Sequence, residues 1–126
     1  MLKGIDCVLI WTEDPEKLTP FYETVLGLKK LKKLEHPQDT GTLYEFPDGG
    51  AVLWIGKHSE VKGQSKDKFR HMVNFLVDSV DATYNELKKK GVKFLVDPFA
   101  GPTGNGYFAT FEDPEGNILQ IWSRKK

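Results

Sequence analysis

The order of apolar and polar residues predicts the same succession of strands and a helix in both halves of the chain. Alternating β-formers predict a first strand over 2–11. Between Asp14 and Gly27, apolar residues at helical spacing predict a helix. A second strand is predicted over 28–35, where lysines would protect a sheet edge. After a turn at 36–41, a hairpin over 42–56 completes a β-α-β-β-β unit.

The start of the first helix has two possible positions. Asp14 followed by Pro15 is typical of a helix cap with proline at the first helical position. Pro20 lies further along the same segment and removes a backbone donor there. It therefore either kinks the first turns or moves the start of the helix to Thr19.

The second half repeats this order after a polar stretch at 57–68, which is interpreted as a surface linker. The pattern predicts a strand over 70–77, a helix capped by Asp78 or Ser79 and ended by Gly91, and a strand over 92–96. The segment 97–106 is interpreted as a long loop, for which a simple connection is favoured over a lid as the alternative. Two short runs around Asp113-Pro-Glu-Gly predict the final hairpin.

Composition limits the protein classes that need to be considered. The chain has 126 residues, of which 39% are hydrophobic, which is enough for one domain with its own core. Acidic and basic residues number 18 each, so neither nucleic acid nor an anionic membrane is an expected partner. Cys7 is the only cysteine and excludes an internal disulfide. No run is apolar enough for a membrane helix, and we expect a cytoplasmic protein.

The two units and three short motifs together resemble the glyoxalase/bleomycin resistance/dioxygenase superfamily, the vicinal oxygen chelate fold. The motifs are Phe21-Tyr-x-x-x-Leu-Gly27, Lys90-Gly-Val92 and Asp113-Pro-Glu-Gly-Asn117. The resemblance implies an α+β fold in which two βαβββ repeats form a curled, cup-shaped mixed sheet with helices outside and a ligand cavity inside. The chain would be a single glyoxalase-like domain, 1–126, with repeat one at 1–56, the linker at 57–68 and repeat two at 69–126.

The resemblance also implies a homodimer, whose repeats pair within one chain or exchange between two. Metal-dependent members bind one divalent ion through four side chains, usually histidine and glutamate. The matching positions here hold Cys7, Trp54, Met72 and Gln120. Thioether and amide groups are weak ligands for such ions, and tryptophan is not a ligand. We therefore expect neither metal nor cofactor, unless a β-bulge turns His71 inward in place of Met72. Whether the protein is an enzyme stays open.

Alternation along the strands assigns the cavity-facing side chains, and all three tryptophans of the chain are among them. These candidate ligand-binding residues are Cys7, Leu9, Trp11, Val52, Trp54, Met72, Asn74, Leu76, Ile118, Gln120 and Trp122. Aromatic walls favour planar or cationic guests, and the two amides would orient them by hydrogen bonds. The alternative is that these side chains fill the cup and leave no cavity.

Three functions are compatible with this pattern. The leading hypothesis is a metal-free small-molecule-binding module of the bleomycin-resistance type, which holds a planar or aromatic ligand in a tryptophan-lined cavity. The second is a glyoxalase-like lyase or isomerase, or a ring-cleaving dioxygenase, with an atypical divalent metal site. The third is a regulatory protein that uses the fold only as a dimer scaffold.

Overall fold

Each half of the chain forms its own mixed four-stranded sheet. The computed structural model describes residues 1–126, in two units, Met1–Gly63 and Gln64–Lys126. The first unit contains β1 (Cys7–Thr12), α1 (Pro15–Pro20), β2 (Lys29–His36), β3 (Asp39–Glu45) and β4 (Val52–Lys57). The second contains β5 (Val73–Leu76), α2 (Val80–Lys89), β6 (Phe94–Ala100), β7 (Tyr107–Glu112) and β8 (Ile118–Ser123).

The strand order is the same in the two sheets, β1-β4-β3-β2 in the first and β5-β8-β7-β6 in the second. The first strand of each unit pairs in parallel with the last, and the other pairs are antiparallel. The α+β class and the two βαβββ repeats are therefore confirmed. The curled cup stays a prediction. No helix has the length and apolar character needed to cross a bilayer.

In the first unit, α1 covers one face of the sheet and leaves the other without a helix. Leu18 of α1 is fully buried, as are Tyr44 and Ile55 on the covered face. Ion pairs join the helical segment to β2, from Glu16 to Lys33 at 3.1 Å and from Glu23 to Lys30 at 3.3 Å. The prediction that the lysine-rich segment is a strand is correct, and β2 lies at the sheet edge.

The start of α1 is at Asp14, whose Oδ1 accepts a hydrogen bond from the Glu16 N–H at 3.1 Å. The alternative start at Thr19 is wrong, because Thr19 is buried inside the helix. Pro20 is the last residue of α1, and a π-helical turn over Phe21–Val25 continues from it. Proline lacks the N–H that would continue the α-helical bonding, which explains why the bonding pattern changes at this residue.

In the second unit, α2 packs on one face through an aromatic cluster. The rings of Tyr84 and Phe94 have centroids 4.6 Å apart, and those of Phe94 and Phe111 are 5.2 Å apart. The sequence offered Asp78 or Ser79 as the cap of α2. Ser79 is the cap, since its Oγ accepts from the Ala82 N–H at 3.2 Å. The opposite face of this sheet also carries no helix.

Several predicted boundaries are wrong. The first strand begins at Cys7 rather than at residue 2, and β5 is limited to Val73–Leu76 instead of 70–77. The turn at 36–41 is shorter, because β2 and β3 extend into it and leave only Pro37 and Gln38 between them. Parallel pairing with β4 or β8 sets the length of β1 and β5, and local sequence does not encode that pairing.

The largest error concerns the predicted loop at 97–106. Residues 97–100 belong to β6, which runs from Phe94 to Ala100, and the connection to β7 is correspondingly shorter. Pro98 is tolerated because β6 is an edge strand whose pairing with β7 shifts between Phe94 and Val96 and again between Val96 and Phe99.

Candidate functional site

The helix-free face of the first unit is apolar and aromatic. Strand register pairs Cys7 with Val52 and Leu9 with Trp54, so the candidate residues of β1 and β4 lie side by side. Leu43 of β3 is paired with Trp54 from the other side. The face therefore presents a row of three apolar side chains, Leu9, Trp54 and Leu43, across neighbouring strands.

Trp54 lies flat on two glycines of this face. A Cβ added to Gly41 would come within 2.6 Å of Trp54 Cζ2, and one added to Gly56 would overlap Trp54 Nε1. Only glycine leaves room for the indole here. Trp54 is 6% exposed, and its Nε1 is buried without a hydrogen-bond partner. Its ring therefore forms the base of the face.

Trp11 is more accessible and stands next to Trp54 in an edge-to-face arrangement. The ring centroids are 6.4 Å apart with an interplanar angle of 72°. The His58 ring packs on the other side of Trp11, with centroids 5.4 Å apart. Sequence reasoning placed His58 in a solvated linker and missed this contact. His58 is indeed exposed, but its backbone N–H donates to the Thr12 carbonyl at 3.1 Å, which holds it beside β1.

Cys7 is half-buried at the start of β1. Partial burial raises the pKa of its thiol, and the neighbouring Asp6 carboxylate raises that pKa further. A raised pKa keeps the thiol protonated near neutral pH, which disfavours nucleophilic or metal-binding chemistry at this position.

The helix-free face of the second unit carries a hydrogen-bonded row of polar side chains. Asn74 Nδ2 donates to Gln120 Oε1 at 2.9 Å, and Gln120 Nε2 donates to Thr110 Oγ1 at 3.3 Å. The three residues occupy directly paired positions on β5, β8 and β7. Sequence reasoning identified both amides as candidates but missed Thr110, because the register of β7 against β8 was not available to it.

Aromatic side chains flank this row. Trp122 Nε1 donates to the Asn105 carbonyl at 2.9 Å, which attaches the connection between β6 and β7 to the tryptophan. Phe99 and Phe108 stack with ring centroids 5.6 Å apart. Phe108 is paired with Trp122 across β7 and β8, so it lies on the same face. Neither phenylalanine was among the predicted site residues.

The two helix-free faces differ at equivalent positions. In the second unit the central row is Asn74, Gln120 and Thr110, and in the first unit it is Leu9, Trp54 and Leu43. One repeat is therefore apolar where the other is polar. The faces offer two different chemical surfaces on the same backbone arrangement.

The candidate residues also differ in accessibility. Leu76 is 62% exposed, Leu9 54% and Met72 48%. Trp54 and Ile118 are buried, and Cys7, Trp11, Val52, Gln120 and Trp122 are half-buried. Met72 precedes β5 instead of lying in it. The side chains that are most accessible to a ligand are thus aliphatic ones from β1 and β5, together with Asn74.

A separate polar cleft of about 140 Å³ lies on the helix side of the first unit, between α1 and the sheet. Its walls carry Glu16, Glu23, Lys30 and Lys33, and each of these charges is in an ion pair. Buried Tyr44 lies nearby, and desolvation together with the Glu23 carboxylate raises the pKa of its phenol.

The sequence profile described as the Glyoxalase/Bleomycin resistance protein/Dioxygenase superfamily matches residues 4–121. The chain belongs to this superfamily. The uncharacterized protein YwbC of Bacillus subtilis (strain 168) is 30% identical to it, over 98% of this chain and 100% of YwbC. A probable lactoylglutathione lyase of Vibrio cholerae is 26% identical, over 90% of this chain and 85% of that protein.

Among solved structures, TnmS3, an antibiotic binding protein from Streptomyces sp. CB03234, has the same fold. Its TM-score is 0.78 at 20% sequence identity, and the match covers 97% of this chain and 96% of TnmS3. At this identity the likeness concerns the fold alone.

The side chains at the superfamily's metal positions do not fit a divalent ion. Gln120 is engaged with Asn74 and Thr110, and Trp54 has no ligand atom. Cys7 has a raised pKa, and Met72 is an exposed thioether. His71, the alternative ligand, is exposed and lies before β5 rather than at a bulge within it. No three His, Cys, Asp or Glu side chains of this superfamily member come together.

Proposed function

We propose that this protein is a small-molecule-binding module of the bleomycin-resistance type, which holds a planar, largely apolar ligand on a helix-free sheet face without a catalytic metal. The observation that carries the proposal is the aromatic pair of the first unit, where Trp11 stands edge-on to a buried Trp54 beside exposed Leu9. A fixed aromatic base with an accessible ring is typical of sites for flat molecules.

The exposed aliphatic residues support the same proposal. Leu9 and Leu76 are each more than half exposed in the middle or at the end of a strand. Covering apolar surface gains about 25 cal/mol per Å², so a ligand that covers these side chains gains affinity from desolvation alone. Unrelated exposed apolar residues are common on proteins, but here they lie beside aromatic candidates on the same faces.

The side chains at the superfamily's metal positions favour ligand binding over metal-assisted catalysis. A glyoxalase-like or dioxygenase reaction polarises vicinal oxygens of the substrate on an ion, and the donor set of this chain is poor for that purpose. The name of TnmS3 describes antibiotic binding, which is compatible with the proposal. The Vibrio cholerae relative, a probable lactoylglutathione lyase, is the reason to keep metal-dependent catalysis as the alternative.

A homodimer, a cup formed by curling of the strands and a cytoplasmic location belong to the proposal as well. The dimer follows from the superfamily resemblance, and association would cover part of the exposed apolar surface. Multi-angle light scattering of the purified protein tests it directly. A monomer at all concentrations would remove the dimer from the proposal without affecting ligand binding.

The proposal is tested with quinoline as a flat probe and titration by NMR or calorimetry. We expect quinoline to bind and Trp11→Leu to weaken this binding about fivefold, since offset stacking contributes roughly 1 kcal/mol beyond area burial. Leu2→Ala is the matched control, because Leu2 is 96% exposed and precedes β1. Failure of quinoline to bind at millimolar concentration, or equal affinity in Trp11→Leu, would contradict the proposal.

The alternative is tested by metal content after dialysis against nickel, zinc, manganese and iron(II). Retention of about one ion per chain, lost in His71→Ala, would make the enzyme the better assignment. We expect no stoichiometric ion, because one raised-pKa thiol and one thioether bind such ions weakly.

A further inference from the structure

Asn74, at the end of the polar row of the second unit, has hydrogen-bonding groups that the row does not use. Asn74 uses one of its two N–H bonds to donate to Gln120, and Gln120 in turn donates to Thr110. Asn74 Oδ1 and its second N–H make no hydrogen bond, and the side chain is exposed. A primary amide carries two donors and an acceptor, so Asn74 keeps a donor and an acceptor for a further partner.

The row runs from Asn74 through Gln120 to Thr110. Gln120 Nε2 faces Thr110 Oγ1, and Gln120 Oε1 faces Asn74 Nδ2 and receives its N–H. Thr110 is 5% exposed and lies on a central strand, so the end of the row that holds Gln120 is anchored. A hydrogen-bonded chain of this kind orders each member along it.

The surroundings of Asn74 are apolar. Leu76 lies two positions further along the same face of β5 and is 62% exposed, and Met72, which precedes β5, is 48% exposed. Gln120 lies between Ile118 and Trp122 on its own strand face. An amide among apolar side chains makes stronger hydrogen bonds to a ligand that excludes water than it makes on a polar surface.

We infer that the second unit selects, among planar apolar molecules, those that carry a cis-amide edge, such as a lactam or an imide. Such a group presents a carbonyl acceptor next to an N–H donor and pairs with both unused groups of Asn74. The flat body of the molecule then covers Leu76 and Met72. This inference rests on the proposed function and assigns the chemical class of its ligand.

The first unit lacks the amide at the position equivalent to Asn74, so the proposed selection for a cis-amide edge belongs to the second unit alone. Leu9 stands where Asn74 stands in the repeat, beside Trp54 in place of Gln120. That face can cover a flat molecule but offers it no hydrogen bond. Anions and free cations are not favoured at Asn74 either, since the row is neutral.

The experiment compares 2-quinolinone, which has the cis-amide edge, with N-methyl-2-quinolinone and quinoline, which lack the donor. Affinities are measured by titration while the side-chain amide signals of Asn74 and Gln120 are followed by NMR. We expect 2-quinolinone to bind about tenfold more tightly than its N-methyl analogue and to shift the Asn74 signals. In Asn74→Leu the ratio should fall to about one.

Asn85→Leu is the matched control, because Asn85 is exposed on α2 and should leave the ratio unchanged. Equal affinity of the two quinolinones, or the same ratio in Asn74→Leu, would overturn the inference, and the proposed function would stand if quinoline still bound. Absence of binding by all three compounds would overturn both. Asn74 is exposed, so its replacement should not prevent folding, which a urea unfolding curve verifies.

Discussion

The indole of Trp54 occupies the space that a side chain at position 56 would need. A Cβ at Gly56 would overlap Trp54 Nε1 and would lie within 2.9 Å of Trp11 Cζ3. Gly56 therefore sets the positions of both tryptophans of the first unit. Because β3 and β4 pair Gly41 with Gly56, the two glycines together form the bed of the indole.

Gly56→Ala should consequently destabilise the protein and displace Trp54. Overpacking of a fixed side chain costs about 1–3 kcal/mol, and Trp54, which is 6% exposed, has little free space around it. Urea unfolding measures the loss, and the near-ultraviolet circular dichroism of tryptophan reports the displacement.

Gly4→Ala is the control for this change, since a Cβ at Gly4 meets no atom within 4 Å. It should leave both measurements unchanged. Equal stability of Gly56→Ala and the wild type would mean that the indole does not rest on this glycine.

The sequence alone predicts most of the repeat. Asp14-Pro15, the lysine-rich segment of β2 and the turn after Asp113 are local signals, and the structure has a cap, an edge strand and a hairpin at these places. These features depend on residues close together in the chain, so local chemistry is enough to identify them.

The remaining features depend on contacts between distant residues. Asn74 and Gln120 are 46 positions apart, and the bond between them follows from strand register rather than from any local pattern. The same holds for the glycine bed of Trp54. A proline such as Pro98 disfavours a strand, and the irregular pairing of β6 with β7 at the sheet edge accommodates it.

Asp113→Ala should destabilise the protein by about 2–3 kcal/mol. The Asp113 carboxylate is 3% exposed and accepts from the Glu115 and Asn117 N–H groups and from Asn117 Nδ2. It organises the turn in which Gly116 adopts a φ of 79°. Hydrogen bonds to a buried charged group contribute about 1.5–3 kcal/mol, and its loss leaves two backbone donors unpaired. Urea unfolding measures the effect.

Asp48 provides the comparison, because it is exposed in the corresponding turn of the first repeat. Asp48→Ala should change the free energy of unfolding by less than about 0.5 kcal/mol. Equal effects of the two replacements would show that the bonds of Asp113 add nothing to stability.

Tyr44→Phe should change stability in a way that depends on pH. The phenol is fully buried, and desolvation and the Glu23 carboxylate raise its pKa above the ordinary value of 10.0. The folded protein then keeps a proton that the unfolded chain loses above that pH. Stability from this group is present below about pH 10 and decreases at higher pH by up to about 1.4 kcal/mol per unit.

Phenylalanine does not titrate. The wild type should therefore lose more stability than Tyr44→Phe when the pH is raised from 7 to 11. At pH 7 the two proteins should differ little, because the Tyr44 hydroxyl is buried without a well-formed hydrogen bond and its removal eliminates a desolvated polar atom. Urea titrations at both pH values provide the two differences. A constant difference between pH 7 and pH 11 would mean that the phenol ionises equally well in the folded protein, and that Glu23 and the surrounding core do not hold it protonated.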